Sequence, residues 1–271
     1  MSVGGVLGET WGLYTKFFAR FFVLAAIVYL IINLLGALLG SAVGTGSAAV
    51  LVALITVIVS LVGTFWLQGA LVYAVDDVRD GRIDSSIGDL FERVRPYLGT
   101  LVVAGILAGL GIAVGLVLLI VPGLILLTWW CLIVPVIVLE GKQVGESFGR
   151  SRELVRGNGW SVFGVVIITV LASALASGVI QSLFGFLDPF LRYWIGGTIA
   201  NAIVDPFLAI ALTVLYFHLR ESPATEAAAA PVAPEPAPEP PPARQPFPPP
   251  PTEEPTAPAP AEEPPPSEPD A

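Results

Sequence analysis

Charge is what this chain has least of. Only 13% of its 271 residues are Asp, Glu, Lys or Arg, against about 25% in a soluble globular protein, so an ordinary water-facing surface cannot be assembled. The single cysteine, Cys131, excludes a disulfide framework and any multi-thiolate metal site. The single histidine, His218, excludes paired-histidine chemistry and most acid–base dyads at neutral pH. Enzyme signatures are missing too: there is no paired-His zinc motif, no G-x-S-x-G elbow, no Walker A sequence and no C-x-x-C. No cofactor is expected. The net charge of −9 argues against nucleic acid as a partner, because affinity for phosphate backbones rests on Lys and Arg.

What the chain has instead is apolar surface: 55% hydrophobic residues and a mean hydropathy of +0.80. The charge is unevenly spread. Residues 1–220 carry 12 basic and 12 acidic side chains, whereas residues 221–271 carry Arg244 alone against ten acids and hold 20 of the 25 prolines. Two regions follow: a transmembrane domain over 1–220 and a disordered, Pro/Glu-rich tail over 221–271.

A spanning helix needs about 20 mostly apolar residues. Six stretches qualify, at 19–40, 48–75, 98–120, 122–139, 160–184 and 196–219. The first is longer than a signal-peptide core, so cleavage after Gly40-Ser41-Ala42 is not expected. The third and fourth are separated only by Val121-Pro122-Gly123, which predicts a tight hairpin, and Pro135 predicts a kink in the fourth. Eleven of the twelve basic residues of 1–220 fall in alternate loops (Lys16 and Arg20; Arg79, Arg82, Arg93 and Arg95; Lys142, Arg150, Arg152 and Arg156; Arg220), leaving Arg192 alone on the other side. By the positive-inside rule the N-terminus, those loops and the tail are cytoplasmic.

Each pair of spans follows an amphipathic stretch. These are Leu7, Trp11, Tyr14 and Phe18; then Ile87, Leu90, Phe91, Val94 and Leu98; then Val144, Phe148, Ser151 and Val155. Ser86-x-x-Asp89 starts the second with a capping box, Pro96 ends it, and Glu146 precedes Arg150 by four residues as a supportive helical pair. The expected fold is therefore all-α: six transmembrane helices as three hairpins, each preceded by an amphipathic interfacial helix. Gly105-x-x-x-Gly109, Gly111-x-x-x-Gly115 and Gly36-x-x-x-Gly40, with a small-residue stripe at Ser173, Ala174, Ser177 and Gly178, allow close helix packing, read as intramolecular rather than homodimeric.

Asp205 is the outlier among the spans. It precedes Pro206 and lies fifteen residues before Arg220, about 22 Å along a helix, which puts it some 8 Å below the outer edge of a core of about 30 Å. A carboxylate near the bilayer centre costs roughly 2.5–3.5 kcal/mol on insertion scales and marks a functional site by default. Two readings stand: a local hydrogen bond to Asn201 or to backbone groups freed by Pro206, or an ion or proton pathway lined by Asp205, Asn201, Pro206 and the Pro135 kink. Asn33, Gln68 and Gln181 read as interhelical hydrogen-bonding residues, Cys131 as packing, His218 as a helix C-terminal interfacial residue, and Glu140 as the partner of Lys142 or a neighbouring Arg. Arg150, Arg152 and Arg156 suit anionic lipid headgroups, because guanidinium matches phosphate geometry; topology-setting with snorkelling side chains is the plainer reading.

The run Ile120-Val121-Pro122-Gly123, Trp129-Trp130, Pro135 to Gly141 and Ser147-Phe148-Gly149-Arg150-Ser151-Arg152-Glu153-Leu154-Val155-Arg156-Gly157-Asn158, with the ending Leu215 to Arg220, resembles the six-span membrane domain of bacterial glycerophosphoryl diester phosphodiesterases and related membrane proteins of uncharacterised function. The resemblance covers roughly 5–221 and implies the six-helix fold. It does not carry the phosphodiesterase activity: the catalytic barrel of that family uses His and metal-binding acids, and here a Pro/Ala/Glu string follows the last span. The tail contains Pro238–Pro242 and Pro248–Pro251 and several P-x-x-P spacings, which suit polyproline II and a cytoplasmic docking partner, or a charged spacer. Arg outnumbers Lys eleven to two, a composition of GC-rich bacterial genomes. The expected role is a non-catalytic scaffold, accessory or lipid-associated protein of the inner membrane. A transporter or channel component is the rival, and an intramembrane enzyme the weakest reading.

Overall fold

The computed structural model describes residues 2–42, 47–79, 81 and 83–221. The proline-rich tail, the first interhelical loop (43–46) and Arg82 lie outside the described residues, as do the docking and topology expectations placed on them. Among the described residues there is no strand. The elements are α1 (Val3–Lys16), α2 (Phe18–Ala42), α3 (Ser47–Val78), α4 (Ile87–Val94), α5 (Leu98–Leu118), α6 (Ile120–Trp130), α7 (Ile133–Glu140), α8 (Val144–Val155), α9 (Gly159–Leu183), α10 (Pro189–Leu191) and α11 (Gly197–Arg220). Six of the resulting segments are long and apolar enough to cross a membrane: Phe18–Gly40, Val50–Val78, Ile87–Leu118, Ile120–Glu140, Gly159–Leu183 and Pro189–Arg220. The chain is an all-α, multi-pass membrane protein. Its outward faces fit that setting: Val117, Leu118, Trp160, Phe186, Leu175 and Ile31 are bare apolar side chains that only lipid would solvate well.

The turn between the third and fourth spans lies at Leu119, two residues ahead of the expected Val121-Pro122-Gly123. Leu119 alone is extended (φ −157°, ψ 130°), and Pro122 sits in the first turn of α6, where its missing N–H costs nothing. Gly123 is spent on close packing instead: a Cβ there would lie 2.6 Å from the Leu116 backbone nitrogen, and one at Gly115 would lie 2.9 Å from Gly123 Cα. Gly105 receives the Phe65 ring and Gly111 the Trp130 ring, while Gly109 and Gly40 meet nothing within 4 Å. Small residues here serve packing within the chain, at three of the five glycines in the third span (Gly105, Gly111 and Gly115).

The Pro135 kink is an outright break. Proline at position 135 cannot donate to Cys131 and its ring crowds that carbonyl, so the helix stops at Trp130 and restarts at Ile133. The freed backbone groups are paired by side chains. Ser151 of α8 accepts from Leu132 N (3.2 Å) and donates to Trp129 O (2.7 Å), and Cys131 Sγ donates to Thr128 O (3.2 Å). Cys131 thus has a structural partner as well as apolar neighbours.

The three amphipathic helices are present, each ahead of a pair of spans, and all three are packed against the bundle. On α4 the buried residues are Leu90 and Val94, as the pattern anticipates; Val94 presses on Gly69, Trp66 Nε1 donates to Phe91 O (2.9 Å), and Ser86 and Asp89 form the capping box. The helix stops at Val94, just ahead of Pro96 as expected, and a 3₁₀ turn (Arg95–Tyr97) leads into α5. On α1 the buried face is Val6, Thr10 and Tyr14, so the expected stripe is rotated: Trp11 is 60% exposed and Phe18 38%. The apolar arc of that helix is broader than one stripe, and packing against α9 and α11 selects the face of Val6, Thr10 and Tyr14. On α8, Glu146 caps the Gln143 backbone N–H (3.4 Å) instead of pairing with Arg150.

Basic and acidic side chains gather at one end of the bundle. Arg20 pairs with Asp77 (2.7 Å) and also donates to Ser85 O (2.8 Å); Arg79 pairs with Glu221 (3.1 Å) and lies over the Phe217 ring. Arg93 lies over Tyr73, whose hydroxyl donates to Val138 O (2.9 Å).

Candidate functional sites

Two arrangements bring chemistry-bearing residues together. The first surrounds Asp205. Helix α11 runs unbroken through Pro206, and Asp205 lies eleven residues, about 16 Å, from Tyr216 at the charged end. That places the carboxylate well inside the sixth apolar span, Pro189–Arg220. Its partner is neither Asn201 nor a freed carbonyl. Tyr29 of α2, itself 6% exposed, donates its hydroxyl to Asp205 Oδ2. Asn201 sits one turn away and makes no hydrogen bond to Asp205; Pro206 is buried in the same helix.

Beside this pair lies a cavity of about 140 Å³. Its polar wall is Tyr29, Gln68, Asp205 and Thr213; Pro135 and a set of Leu, Val and Ala side chains complete it. Gln68 therefore belongs to the Asp205 site rather than to a separate interhelical bond. Asn33 does act as expected: its amide donates to Thr198 Oγ1 (3.3 Å), which also bonds Tyr29 O. Gln181 is exposed on α9 and makes no side-chain bond to another helix among the described residues.

Beyond the Thr213 end of the cavity, one helical turn on, stands an ionic cluster. Glu140 accepts from Tyr216 (2.9 Å) and from Arg150 Nε (3.0 Å), while Arg150 Nη1 reaches Glu153 (3.0 Å). Burial works against the Arg150 charge, but hydrogen bonds and attraction to Glu153 and Glu140 outweigh it and hold its pKa above the ordinary value. Arg150 is committed to these two carboxylates. On the far side of α11, His218 lies 3.5 Å from Glu9 of α1, and Tyr14 donates to Ile203 O (2.8 Å).

The second arrangement is at the α6–α8–α9 corner. An apolar groove of about 530 Å³ runs between α6 and the start of α9, walled by Val121, Ile125, Thr128, Trp129, Trp160 and Phe163. It adjoins a polar hollow of about 490 Å³ formed by Arg152, Arg156, Gly149 and Glu153, and Trp129 is common to both. The Arg152 guanidinium lies 4.3 Å from the Trp129 ring centroid, a cation–π geometry. Of the three arginines singled out by sequence, Arg152 and Arg156 are thus exposed together here, and Arg150 is turned away into the Glu140 cluster. Among the described residues no group of three or more His, Cys, Asp or Glu side chains could hold a metal ion. The chain matches no family model, and no curated protein or solved structure is similar to it.

Sequence reasoning missed Tyr29 and Trp129. The signal for Tyr29 was there: a phenol in the middle of an apolar span needs a hydrogen-bond acceptor, and Asp205 is the one carboxylate within the sixth span. Nothing in the sequence alone puts Trp129 against Arg152, because that contact depends on the break at Pro135 and on α8 folding back along α7.

Proposed function

We propose that this chain is a non-catalytic, lipid-associated protein of the bacterial inner membrane, with both termini cytoplasmic, that holds an anionic phospholipid at the α6–α8–α9 corner. The observation that carries the reading is the sharing of Trp129 between an apolar groove and a hollow bearing two exposed guanidinium groups that form no ion pair among the described residues. A phospholipid has that same division. Its acyl chain fits a groove lined by Ile125, Trp160 and Phe163, and its phosphate suits Arg152 and Arg156, since Arg forms bidentate hydrogen bonds to phosphate. Glu153 in the same hollow is balanced by Arg150, so it does not cancel the charge of Arg152 and Arg156. The motif run over 120–158 that resembles the six-span domain of glycerophosphoryl diester phosphodiesterases includes this corner, and kinship with that domain is part of the proposal.

The test is retention of lipid by the detergent-purified protein in native mass spectrometry, with phosphatidylglycerol and phosphatidylcholine offered together. Wild-type protein is expected to keep phosphatidylglycerol selectively. The double variant Arg152→Gln/Arg156→Gln should lose that preference by several-fold while retaining its fold, whereas phosphatidylcholine retention should not change. Equal retention of both lipids by the wild type, or an unaltered preference in the double variant, overturns the reading.

A further inference from the structure

The lipid site leaves the Asp205 cavity without a use, and its geometry supports a separate activity. We propose that Asp205 is an exchangeable proton-binding carboxyl inside the membrane, loaded and unloaded from the charged end of the bundle through the cavity toward Tyr216 and Glu140.

Three observations point this way. First, only one oxygen of Asp205 is engaged: Tyr29 donates to Oδ2, and the side chain borders the cavity. A carboxylate buried for structure alone would be expected to have both oxygens bonded, since unpaired polar atoms at this depth are costly. Second, the cavity has room for several water molecules, each occupying about 30 Å³ in the liquid, and offers polar partners to hold them in Tyr29, Gln68 and the carboxyl of Asp205 itself. Third, it is directional. From Asp205 to Thr213 it follows α11 for eight residues, about 12 Å, and the next turn carries Tyr216, bonded to Glu140 and through it to Arg150. No comparable polar residue of the cavity wall lies on the other side of Asp205, where α2 and α11 are closed by the Asn33–Thr198 bond.

The titratable groups around the site are Tyr29 on α2, Tyr14 on α1, Tyr73 on α3, Glu140 on α7 with Arg150 on α8, and Tyr216 on α11; α9 brings none. Of these, only Tyr29 touches the carboxyl, and as a hydroxyl donor it serves either protonation state of Asp205. When the proton leaves Oδ1 for a cavity water, the result is a carboxylate and a hydronium ion, and the Tyr29 O–H remains to stabilise the negative charge. On reloading the steps run in reverse, so no other reactant is needed.

Infrared spectroscopy of the full chain in lipid vesicles reads this directly. The expected result is a carboxylic C=O band that titrates reversibly with pH, shifts on transfer to D₂O, and is missing from Asp205→Asn. Filling the cavity with Ala209→Leu, which leaves Asp205 and Tyr29 in place, should slow the D₂O shift several-fold. Because the band is sought in the wild type first, the test does not depend on any variant folding. A wild-type protein with no titrating carboxyl band of its own beyond that of Asp205→Asn, a band that does not exchange in D₂O, or an exchange rate untouched by Ala209→Leu, would each overturn the proposal. Loss of phosphatidylglycerol preference in the Arg152/Arg156 variant has no bearing on it.

Discussion

Single hydroxyl groups carry unusual weight in a bundle where water is not available to repair a broken backbone. Ser151 shows it most clearly: one Oγ serves both Leu132 N and Trp129 O across the gap that Pro135 opens. Replacing Ser151 with Ala leaves a buried donor and a buried acceptor unpaired, a loss of about 1–3 kcal/mol for the pair of groups left unsatisfied. Unfolding of the purified protein in mixed micelles should show that loss. Thr213→Val, whose hydroxyl only back-bonds to Ala209 O within its own helix, should shift the same transition far less. At this scale the sequence was partly legible. It showed that Pro135 must free a carbonyl and that Asp205 needs an explanation. Ser151 read as part of an apolar stripe, because its contact lies across two turns of chain that only tertiary structure brings together.

At the scale of the helix, the glycines of the third and fourth spans separate by what faces them. Gly123 and Gly115 let α5 and α6 touch backbone to backbone, and the nearest obstacles to a Cβ at Gly123 include the Leu116 main-chain nitrogen at 2.6 Å. Main chain cannot rotate out of the way as a side chain can. Gly123→Ala must therefore spread the hairpin and should cost about 1–3 kcal/mol, in the range of overpacking. Gly109 faces open space, and Gly109→Ala should be neutral or stabilising by up to about 1 kcal/mol from helix propensity. The pair of variants, compared in one unfolding assay, distinguishes packing glycines from incidental ones; similar effects at both sites would contradict the hairpin described here. Spans and their caps were readable because their signals are local: apolar length, a capping box at Ser86, punctuation by Pro. The faces of α1 and α8 were not, since each of these helices has more apolar or neutral surface than it buries, and the choice among candidates is made by neighbours distant in sequence.

For the whole molecule, the governing feature is the segregation of charge. The pairs Arg20–Asp77 and Arg79–Glu221 and the Glu140–Arg150–Glu153 cluster lie toward one end, while the turn at Leu119 is apolar and the turn at Phe186 carries only Asp188 and Arg192 beside bare apolar side chains. Moving the charged end across a bilayer during insertion would require desolvating Lys and Arg residues that inward loops retain, so both termini should face the cytoplasm. In a Cys131→Ser background, a cysteine placed at exposed Asp84 should react with a membrane-impermeant maleimide only after the cells are opened, and one placed at Phe186, 82% exposed, should react in intact cells. Because the two positions lie at opposite ends, an inverted protein would exchange the two results and not merely weaken them. That inversion would also reassign the proton route, since the Thr213 end of the Asp205 cavity would then open toward the outside, while the lipid corner would meet the outer leaflet. The orientation experiment thus fixes which compartment supplies protons to Asp205 and which leaflet supplies phospholipid to Arg152 and Arg156, and both assignments follow from the side on which Asp84 is labelled.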